Sequence, residues 1–421
     1  MKDLENSKKE SPMLGLIGMG GGAASLMWHH AAGLIKGQLW AWGNNTYGTL
    51  MTNQPGANKR SSPVQIGTDT NWTVFMDAGN AGNYVSFAGK DDGTLWTTGY
   101  GNLMGLNQPG FPPTAVLRSS PTQLPGSWSG AMSRNGETVI ATKADGTLWT
   151  WGSNQHGILG LNQAYGPGDK KNRSSPCQVG TDTDWTITAD QISCGSEYAF
   201  CMKQNGTLWA WGKNDNAGMG VGQPFNYRRS SPTQIPGTTW ATINAGGGGS
   251  LNVAKKTDGS LWVWGNNGSG SLGLNGGPPK NSPVQLGTDT TWAGVTVGGS
   301  AAFVTKTDGT LWAWGNASSG KLGFGQPSNT DISSPKQIPG TWKTDHHSVA
   351  SINDSTAAIR ADGTLWTWGQ GEVGQLGLNQ NMNPSSGTYN FSSPKQVGTS
   401  TNWLAVGGIS ATDKNFFALR K

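Results

Sequence analysis

A Leu-Trp pair recurs seven times along this 421-residue chain and constrains the possible folds more than any other feature. Successive pairs are 50 to 60 residues apart. A regular period of that length indicates one supersecondary unit that is copied and packed against its neighbours. The tryptophans of the seven pairs are Trp40, Trp96, Trp149, Trp209, Trp262, Trp312 and Trp366.

The composition fits a repeat-built β protein. The chain has 66 Gly and 21 Pro, and only 13% of its residues are charged. Such a glycine content without a collagen-like triplet is typical of many tight turns. The net charge of +5 does not by itself require a polyanionic partner. Three cysteines, Cys177, Cys194 and Cys201, form no Cys-x-x-Cys pattern and predict small buried side chains rather than disulfides or a zinc site.

Each repeat centres on Asp-Gly-Thr-Leu-Trp-x-Trp-Gly, as in Asp145 to Gly152. Because Asp-Gly favours positive φ, it predicts a two-residue hairpin turn after a short apolar strand such as Ala302 to Val304. In the strand that follows, the two Trp share one face because side chains alternate. We expect this Trp stripe to pack between neighbouring units, with an aromatic box for a cofactor as the weaker alternative.

A Ser-Ser-Pro-x-Gln stretch follows a variable Gly-rich loop in six copies, and Asn281 to Pro283 takes its place in another. Since proline has no N–H to donate, this stretch predicts an outer or edge strand. A further Trp then closes each unit, giving about four strands per repeat. Seven four-stranded units predict a β-propeller. The closing tryptophans are Trp72, Trp128, Trp185, Trp240, Trp292, Trp342 and Trp403.

The two chain ends together supply the missing half-repeat. Asn415 to Lys421 is similar to the strand that precedes Asp-Gly elsewhere, whereas no such strand precedes Leu39 and Trp40. We therefore expect Gly37 to Gly43 to pair with the C-terminal strand and close the ring, which removes exposed sheet edges. The predicted organisation is an irregular arm at residues 1–36 and an all-β, seven-bladed propeller of about 54-residue repeats at 37–421.

The repeat resembles the regulator-of-chromosome-condensation repeat family over about residues 34–421. The resemblance rests on Leu-Trp-x-Trp-Gly-x-Asn (Leu208 to Asn214), on Leu-Gly-Leu (Leu159 to Leu161, Leu376 to Leu378) and on the Pro-x-Gln-Val stretch. It implies a seven-bladed propeller. It leaves function open, because propellers of this family serve nucleotide exchange on small GTPases, chromatin binding, light sensing and enzyme inhibition.

The chain offers no recognisable catalytic constellation, so we predict a non-enzymatic protein without a cofactor, a catalytic residue or a metal site. His156 is interpreted as a solvated loop residue. Asp345, His346 and His347 form a metal-like cluster, but adjacent side chains of a strand point to opposite faces, which would prevent joint ligation.

Cations collect just before Ser-Pro in five copies and predict a cationic arc on one rim of the ring. Because equivalent repeat positions fall on one rim, this arc would bind an anionic glycan, nucleic acid (the less favoured ligand) or an acidic protein patch. The alternative is a solvated rim whose Arg side chains bond local carbonyls. The last two copies have Asp331 and Tyr389 to Phe391 instead. The arc residues are Lys59, Arg60, Arg118, Lys170, Lys171, Arg173, Arg228, Arg229 and Lys280.

Residues 1–36 combine a polar start with a Gly-rich apolar stretch that is interrupted too often for a membrane span. We interpret them as an anchoring arm that docks into another subunit. A short stretch of the arm is similar to N-termini of tailed-phage structural proteins. The apolar residues expected to anchor are Met13, Leu14, Leu16, Ile17, Met19, Leu26, Met27 and Trp28.

The combined interpretation is a bacteriophage virion component that is anchored by its arm to other virion proteins. Its rim loops would recognise a host surface or brace subunits. The first alternative is a bacterial propeller, cytoplasmic or secreted, that binds and inhibits or regulates a partner protein. The second is a nucleotide-exchange factor for a small GTPase, which such uniform blades disfavour.

Overall fold

The structure is a computed structural model that describes residues 35–54, 59–75, 85–108, 117–134, 136–163, 172–223, 227–247, 251–325, 330–379, 390–409 and 414–421. Its first fourteen strands are β1 (Gln38–Gly43), β2 (Arg60–Gln65), β3 (Trp72–Phe75), β4 (Val85–Lys90), β5 (Leu95–Tyr100), β6 (Leu117–Leu124), β7 (Trp128–Arg134), β8 (Thr138–Lys143), β9 (Leu148–Gly152), β10 (Arg173–Gln178), β11 (Ile192–Cys194), β12 (Tyr198–Met202), β13 (Leu208–Lys213) and β14 (Arg228–Ile235).

The second fourteen are β15 (Trp240–Ala245), β16 (Leu251–Lys256), β17 (Leu261–Gly265), β18 (Lys280–Gln285), β19 (Trp292–Gly298), β20 (Ala301–Lys306), β21 (Leu311–Gly315), β22 (Ile332–Ile338), β23 (Val349–Ile352), β24 (Ser355–Ile359), β25 (Leu365–Gly369), β26 (Phe391–Gln396), β27 (Trp403–Ile409) and β28 (Asn415–Arg420). Within the described residues the helical segments are short 3₁₀ turns at Gly101–Met104, Gln155–Gly157, Ala189–Gln191, Asp215–Ala217, Gly268–Gly270 and Ser318–Gly320.

These strands form seven four-stranded antiparallel sheets, so the predicted seven-bladed propeller is confirmed. Blade one combines β27, β28, β1 and β2, and we call it the closing blade. Blades two to seven take consecutive strands, from β3–β6 to β23–β26. The first strand of each blade lies innermost, as shown by contacts of β11 with β7 and β15. The Ser-Ser-Pro strand is the outer edge of every blade, as predicted.

The ring closes by pairing of the two chain ends, which is also confirmed. Strand β1 pairs with β28 from Gln38 opposite Arg420 to Gly43 opposite Asn415. Strand β27 lies on the other side of β28. One assignment within the repeat was wrong: the Trp after Ser-Ser-Pro does not close its unit. It opens the next blade, as Trp72 does at the start of β3, because the chain crosses to the axis before that Trp.

The Asp-Gly turn also differs from the prediction. Residues 144–146 form a three-residue loop in which the amide of Gly146 donates to the Lys143 carbonyl. Only the glycine has positive φ, at 78°. This is a type I turn followed by a left-handed glycine. The Asp145 carboxylate accepts hydrogen bonds from the Thr147 amide at 3.0 Å and from the Thr147 hydroxyl at 2.6 Å. These two bonds favour this turn over the two-residue form.

Neighbouring blades are held together by the second Trp of each Leu-Trp-x-Trp. Its indole N–H donates to a backbone carbonyl of the preceding blade, and its ring is fully buried, so the predicted packing role is confirmed. Blade two has Thr98 at this position and is the exception. The six bonds run from Trp42 to Gln375, Trp151 to Leu103, Trp211 to Ile158, Trp264 to Gly218, Trp314 to Ser271 and Trp368 to Lys321.

Candidate binding surfaces on the two faces of the ring

Strand direction assigns each connection to one of two faces. The hairpin turns before Leu-Trp and the loops that lead to the next blade lie on one face, which we call the turn face. The variable loops before Ser-Ser-Pro lie on the opposite face, which we call the arc face. Gly37 bridges to Trp72 at the start of β3, so the N-terminal segment joins the ring at the turn face.

Two inserted loops break the seven-fold repeat on the turn face. Five inner strands begin directly at their Trp, but β11 begins seven residues after Trp185 and β23 seven residues after Trp342. The insertions, residues 186–191 and 343–348, belong to blades four and seven, which lie across the axis from each other. In repeat proteins, insertions of this kind commonly carry binding specificity.

The inserted loops line an axial cavity of about 480 Å³ together with the starts of the inner strands. Ile35, Lys255, Asp190 and Asp345 also line it. The Lys255 ammonium donates to the Ala293 carbonyl at 2.6 Å. Burial lowers the pKa of Lys255 below its ordinary value, and the negative charge of Asp190 acts in the opposite direction. The cavity is therefore a mixed polar and apolar site of the size that small ligands occupy.

The second inserted loop is tied to the closing blade. The Lys343 ammonium donates to the Trp403 carbonyl at 3.1 Å, and the Val406 amide donates to the His347 carbonyl at 2.6 Å. The assumption that His346 and His347 lie in a strand was wrong. They lie in this loop, their ring centroids are 3.9 Å apart, and His347 has a φ of 64°. Among the described residues no group of three His, Cys, Asp or Glu is placed to hold a metal ion.

The predicted arc residues of five successive blades occupy one register position on the arc face. Each stands at the start of its outer strand, opposite the Gly that ends Leu-Trp-x-Trp-Gly. Ile332 and Phe391 take this position in blades six and seven. The five pairs are Arg60 with Gly43, Arg118 with Gly99, Arg173 with Gly152, Arg229 with Gly212 and Lys280 with Gly265.

Some of the arc side chains form contacts with neighbouring loop residues. Arg60 and Arg173 each donate from Nη2 to a loop glutamine, Gln54 and Gln163 respectively, the second at 3.3 Å. Arg229 is exposed and lies over the ring of Tyr227 at 4.7 Å. Lys59 and Arg228 flank the arc, whereas Lys170 and Lys171 lie outside the described residues. The eight predicted anchoring residues of the arm, Met13 to Trp28, lie outside them as well.

His156 is not the solvated residue that was expected. Its Nε2 lies 3.2 Å from a carboxylate oxygen of Glu197 in the neighbouring blade, and Lys213 approaches the other oxygen at 2.8 Å. The sequence did not reveal this pair, because the two residues belong to loops of different repeats. Cys194 and Cys201 are buried and Cys177 is partly buried, and all three are free thiols.

A second set of cations escaped the sequence interpretation. In every blade a Lys or Arg lies over the ring of the blade's first Trp and over that of its Leu-Trp tryptophan, at 3.6–5.6 Å from the centroids. Such cation–π contacts stabilise the turn face. In blades two to seven the cation stands two residues before the turn Asp or Asn, and this spacing was the only trace of the contact in the sequence. The cations are Lys90, Lys143, Lys203, Lys256, Lys306, Arg360 and Arg420.

The clamped cations are more buried than the carboxylates that pair with them. The side chain of Lys90 is 13% exposed, while that of its carboxylate partner Asp69 is 52% exposed. Lys203 and Asp182 show the same contrast, 13% against 53%. At these two junctions the carboxylate is more exposed than the cation that balances it. The arc face instead presents the cations of five outer strands.

Comparison with known proteins agrees with the fold. The family model described as "Regulator of chromosome condensation (RCC1) repeat" matches residues 145–202, 308–359 and 362–411, and a second RCC1 repeat model matches 189–217. The chain is 28% identical over 83% of its length to the mitochondrial RCC1 domain-containing protein RUG3 of Arabidopsis thaliana. It is 24% identical over 81% of its length to the human E3 ubiquitin-protein ligase HERC2. It spans 65% of the first relative and 7% of the second.

Two solved structures have the same fold. Human WBSCR16 superposes with a TM-score of 0.71 at 18% identity, covering 91% of this chain and 99% of that one. Prp20p of Saccharomyces cerevisiae superposes with a TM-score of 0.73 at 17% identity, covering 94% of each chain. No helix in the described part of the chain has the length and apolar character of a membrane span. The chain thus carries regulator-of-chromosome-condensation repeats folded into a seven-bladed β-propeller.

Proposed function

We propose that this protein is a non-enzymatic binding propeller that regulates a partner protein by docking an acidic patch of that partner on the cationic arc. The observation that carries the proposal is the placement of Arg60, Arg118, Arg173, Arg229 and Lys280 at one register position in successive blades. A regular row of cations on a rigid ring attracts a complementary anionic surface and orients it.

The relatives favour this alternative over a virion role. RUG3 and HERC2 are plant and human proteins, and the two solved propellers with the same fold are human and yeast proteins. None of these four proteins supports phage partners, so we do not propose a virion or host-surface role.

Charge reversal tests the proposal. The variant Arg60→Glu, Arg118→Glu, Arg173→Glu, Arg229→Glu is compared with Lys36→Glu, Lys336→Glu, Lys395→Glu, Lys421→Glu, which changes the net charge equally at exposed sites outside the arc. Retention on immobilised poly-glutamate and on heparin is measured against salt. We expect the arc variant to elute with little retention and the control to elute near wild type. Equal elution of both variants would refute a role for the arc.

Nucleotide exchange on a small GTPase is the second candidate. Uniform blades would disfavour this activity, but the two inserted loops around the axial cavity remove that uniformity. The structurally similar Prp20p binds Gsp1p. Release of fluorescent GDP from Gsp1p therefore provides a direct assay. Acceleration by the wild-type protein that is lost on deleting residues 343–348 supports this candidate, and an unchanged release rate excludes exchange on that GTPase.

A further inference from the structure

Two equivalent grooves run along the outside of the ring between neighbouring blades. The first, between blades one and two, has a volume of about 380 Å³, and the second, between blades three and four, about 350 Å³. Both grooves are lined by residues from the same repeat positions, so the groove is a feature of the repeat and not of one loop. Each has a Gln of one outer strand, an Asp of the inter-blade loop and the Leu-Trp tryptophan of the next blade: Gln65, Asp69 and Trp96 in the first, Gln178, Asp182 and Trp209 in the second.

The loop sequence alternates over six of the seven blade junctions, and the junction between blade seven and the closing blade has Gly-Thr-Ser. Junctions one/two, three/four and five/six have Gly-Thr-Asp, and junctions two/three, four/five and six/seven have Pro-Gly instead. Both described grooves lie at Gly-Thr-Asp junctions. The five/six junction repeats their residues as Gln285, Asp289 and Trp312, with the Asp289 carboxylate 2.6 Å from the Lys306 ammonium. The alternation therefore distinguishes three Gly-Thr-Asp junctions, at two of which a groove is described, from three junctions that lack the carboxylate.

The chemistry of the grooves fits a neutral sugar. Trp96 and Trp209 are partly exposed, as are the Leu-Trp tryptophans of the other five blades, so part of each ring remains available for packing. The C–H face of a pyranose is apolar and packs on such a ring, while its hydroxyls need planar acceptors and donors. The Asp carboxylate and the Gln amide supply both on the adjacent wall. The volumes match those of small-molecule sites.

Charge balance argues against a charged polymer in these grooves. Lys90 lines the first groove, and its ammonium lies 2.7 Å from Asp69 and 4.8 Å from the centroid of Trp96. Lys203 holds Asp182 at the same distance beside Trp209. In each groove the Asp carboxylate is thus paired with a Lys. Arg60 also lines the first groove, and Lys203 also bonds Asp184 at 2.9 Å, so neither groove presents several unpaired charges of one sign.

From these observations we propose that the Gly-Thr-Asp grooves are saccharide sites, each taking one neutral pyranose unit of a polysaccharide. Three sites on one rigid ring give multivalent attachment, in which weak single sites add up to strong retention on a repetitive polymer. Arg60 of the cationic arc also lines the first groove, whereas no arc residue lines the second.

Two triple variants test the proposal. The site variant Gln65→Ala, Gln178→Ala, Gln285→Ala alters the three proposed grooves. The matched variant Gln155→Ala, Gln223→Ala, Gln396→Ala makes the same change at three exposed glutamines that line neither groove. All but Gln65 are exposed, and circular dichroism checks that both variants fold. Retention is measured on immobilised mannan, galactan, β-glucan and chito-oligosaccharide.

We expect wild type to be retained on at least one of the four probes, with at least tenfold weaker apparent affinity for the site variant. The matched variant should stay within twofold of wild type. The free monosaccharide should bind far more weakly while still changing the tryptophan fluorescence. The proposal is overturned if wild type is retained on none of the four probes, if both variants lose binding equally, or if the site variant binds like wild type.

Discussion

The closing blade and the six continuous blades hold the same four-stranded sheet by different means. In a continuous blade the turn Asp or Asn accepts from a Thr or Ser two residues on, whose hydroxyl accepts from the Leu-Trp indole N–H. This relay fixes the turn and satisfies the indole together. Its members are Asp92, Thr94 and Trp96; Asp145, Thr147 and Trp149; Asn205, Thr207 and Trp209; Asp258, Ser260 and Trp262; Asp308, Thr310 and Trp312; and Asp362, Thr364 and Trp366.

The closing blade has no such turn because its paired strands, β28 and β1, are not consecutive in sequence. The Trp40 indole N–H is buried without an acceptor among the described residues. Arg420 still lies over Trp40 and Trp403, and its Nε donates to Asn402 at 2.9 Å. The difference shows that the cation clamp belongs to the blade itself, while the relay belongs to the covalent turn. The closing blade therefore keeps the cation clamp but lacks the relay.

The largest expected effect comes from removing β28. Deleting residues 414–421 takes away Phe416, Phe417 and Leu419, all fully buried, and exposes the edges of β1 and β27. Losing one buried Phe costs about 3–5 kcal/mol, and two together approach the whole stability of an ordinary domain. We expect an aggregating chain without a cooperative melt by tryptophan fluorescence. Deleting only Lys421 should leave melting unchanged. A truncated chain that melts like wild type would contradict the closure argument.

The next largest effect concerns the junction between the closing blade and blade two, where Thr98 replaces the linking Trp. Trp314→Thr should reproduce that junction between blades five and six by removing a buried ring and its 2.9 Å bond to Ser271. We expect a loss of about 3–5 kcal/mol in urea unfolding. Thr98→Val is the counterpart: the Thr98 hydroxyl is buried without a partner among the described residues, so its removal should be neutral or stabilising. Equal destabilisation by both variants would contradict this contrast.

The sequence was sufficient for the architecture because the fold is encoded by repeated positions. The Leu-Trp period, the proline of the outer strand and the complementary chain ends each correspond to one structural role. The turn type was mispredicted, since Asp-Gly is compatible with both hairpin loops and the choice depends on the Thr147 hydroxyl. The cation clamps stood at a fixed sequence position, but their first Trp comes from another strand, so the contact was not evident locally.

The axial cavity was less accessible to sequence reasoning. Trp185 and Trp209 are 24 residues apart, as are Trp342 and Trp366, against 20 between Trp292 and Trp312. The extra length reflects the loops inserted before β11 and β23. Trp72 and Trp96 are also 24 residues apart, yet β3 begins directly at Trp72. Chain length alone therefore does not tell whether extra residues lie at the axis or at the loop beyond the inner strand.

A circular permutant sharpens the comparison by giving the closing blade the turn that it lacks. Arg420 is joined to Leu39 through Ala-Asp-Gly-Thr, as between Arg360 and Leu365, and new ends are placed between Gly276 and Gly277, where an added Cβ would meet no atom. The inserted Thr supplies an acceptor for Trp40, and satisfying a buried donor is worth about 1–3 kcal/mol. Urea unfolding should show this gain relative to a permutant with Val for the inserted Thr. Equal stability of the two permutants would contradict the relay.

The smallest expected effect is electrostatic and separates blade six from the closing blade. Hydrogen bonds from Lys306 and then from Thr291 lower the pKa of Asp289 to about 2, whereas Ser400 stands at the equivalent position before β27. Because the folded pKa lies below the ordinary value of 3.8, this carboxylate stabilises the fold above about pH 4, and the contribution is lost as the pH falls towards 2. The pair is partly exposed, so we expect less than about 1 kcal/mol.

Asp289→Asn should therefore be less stable than wild type at pH 7, and the difference should vanish between pH 4 and pH 2 in urea titrations. Ser400→Ala carries no titrating group and should differ from wild type by a constant amount over that range. A constant difference for Asp289→Asn would mean that the clamp in blade six stabilises by packing Lys306 between Trp292 and Trp312, without help from the carboxylate. In that case the cation would stabilise blade six through its contacts with the two tryptophans, as it does in the closing blade, where the clamp has no carboxylate partner.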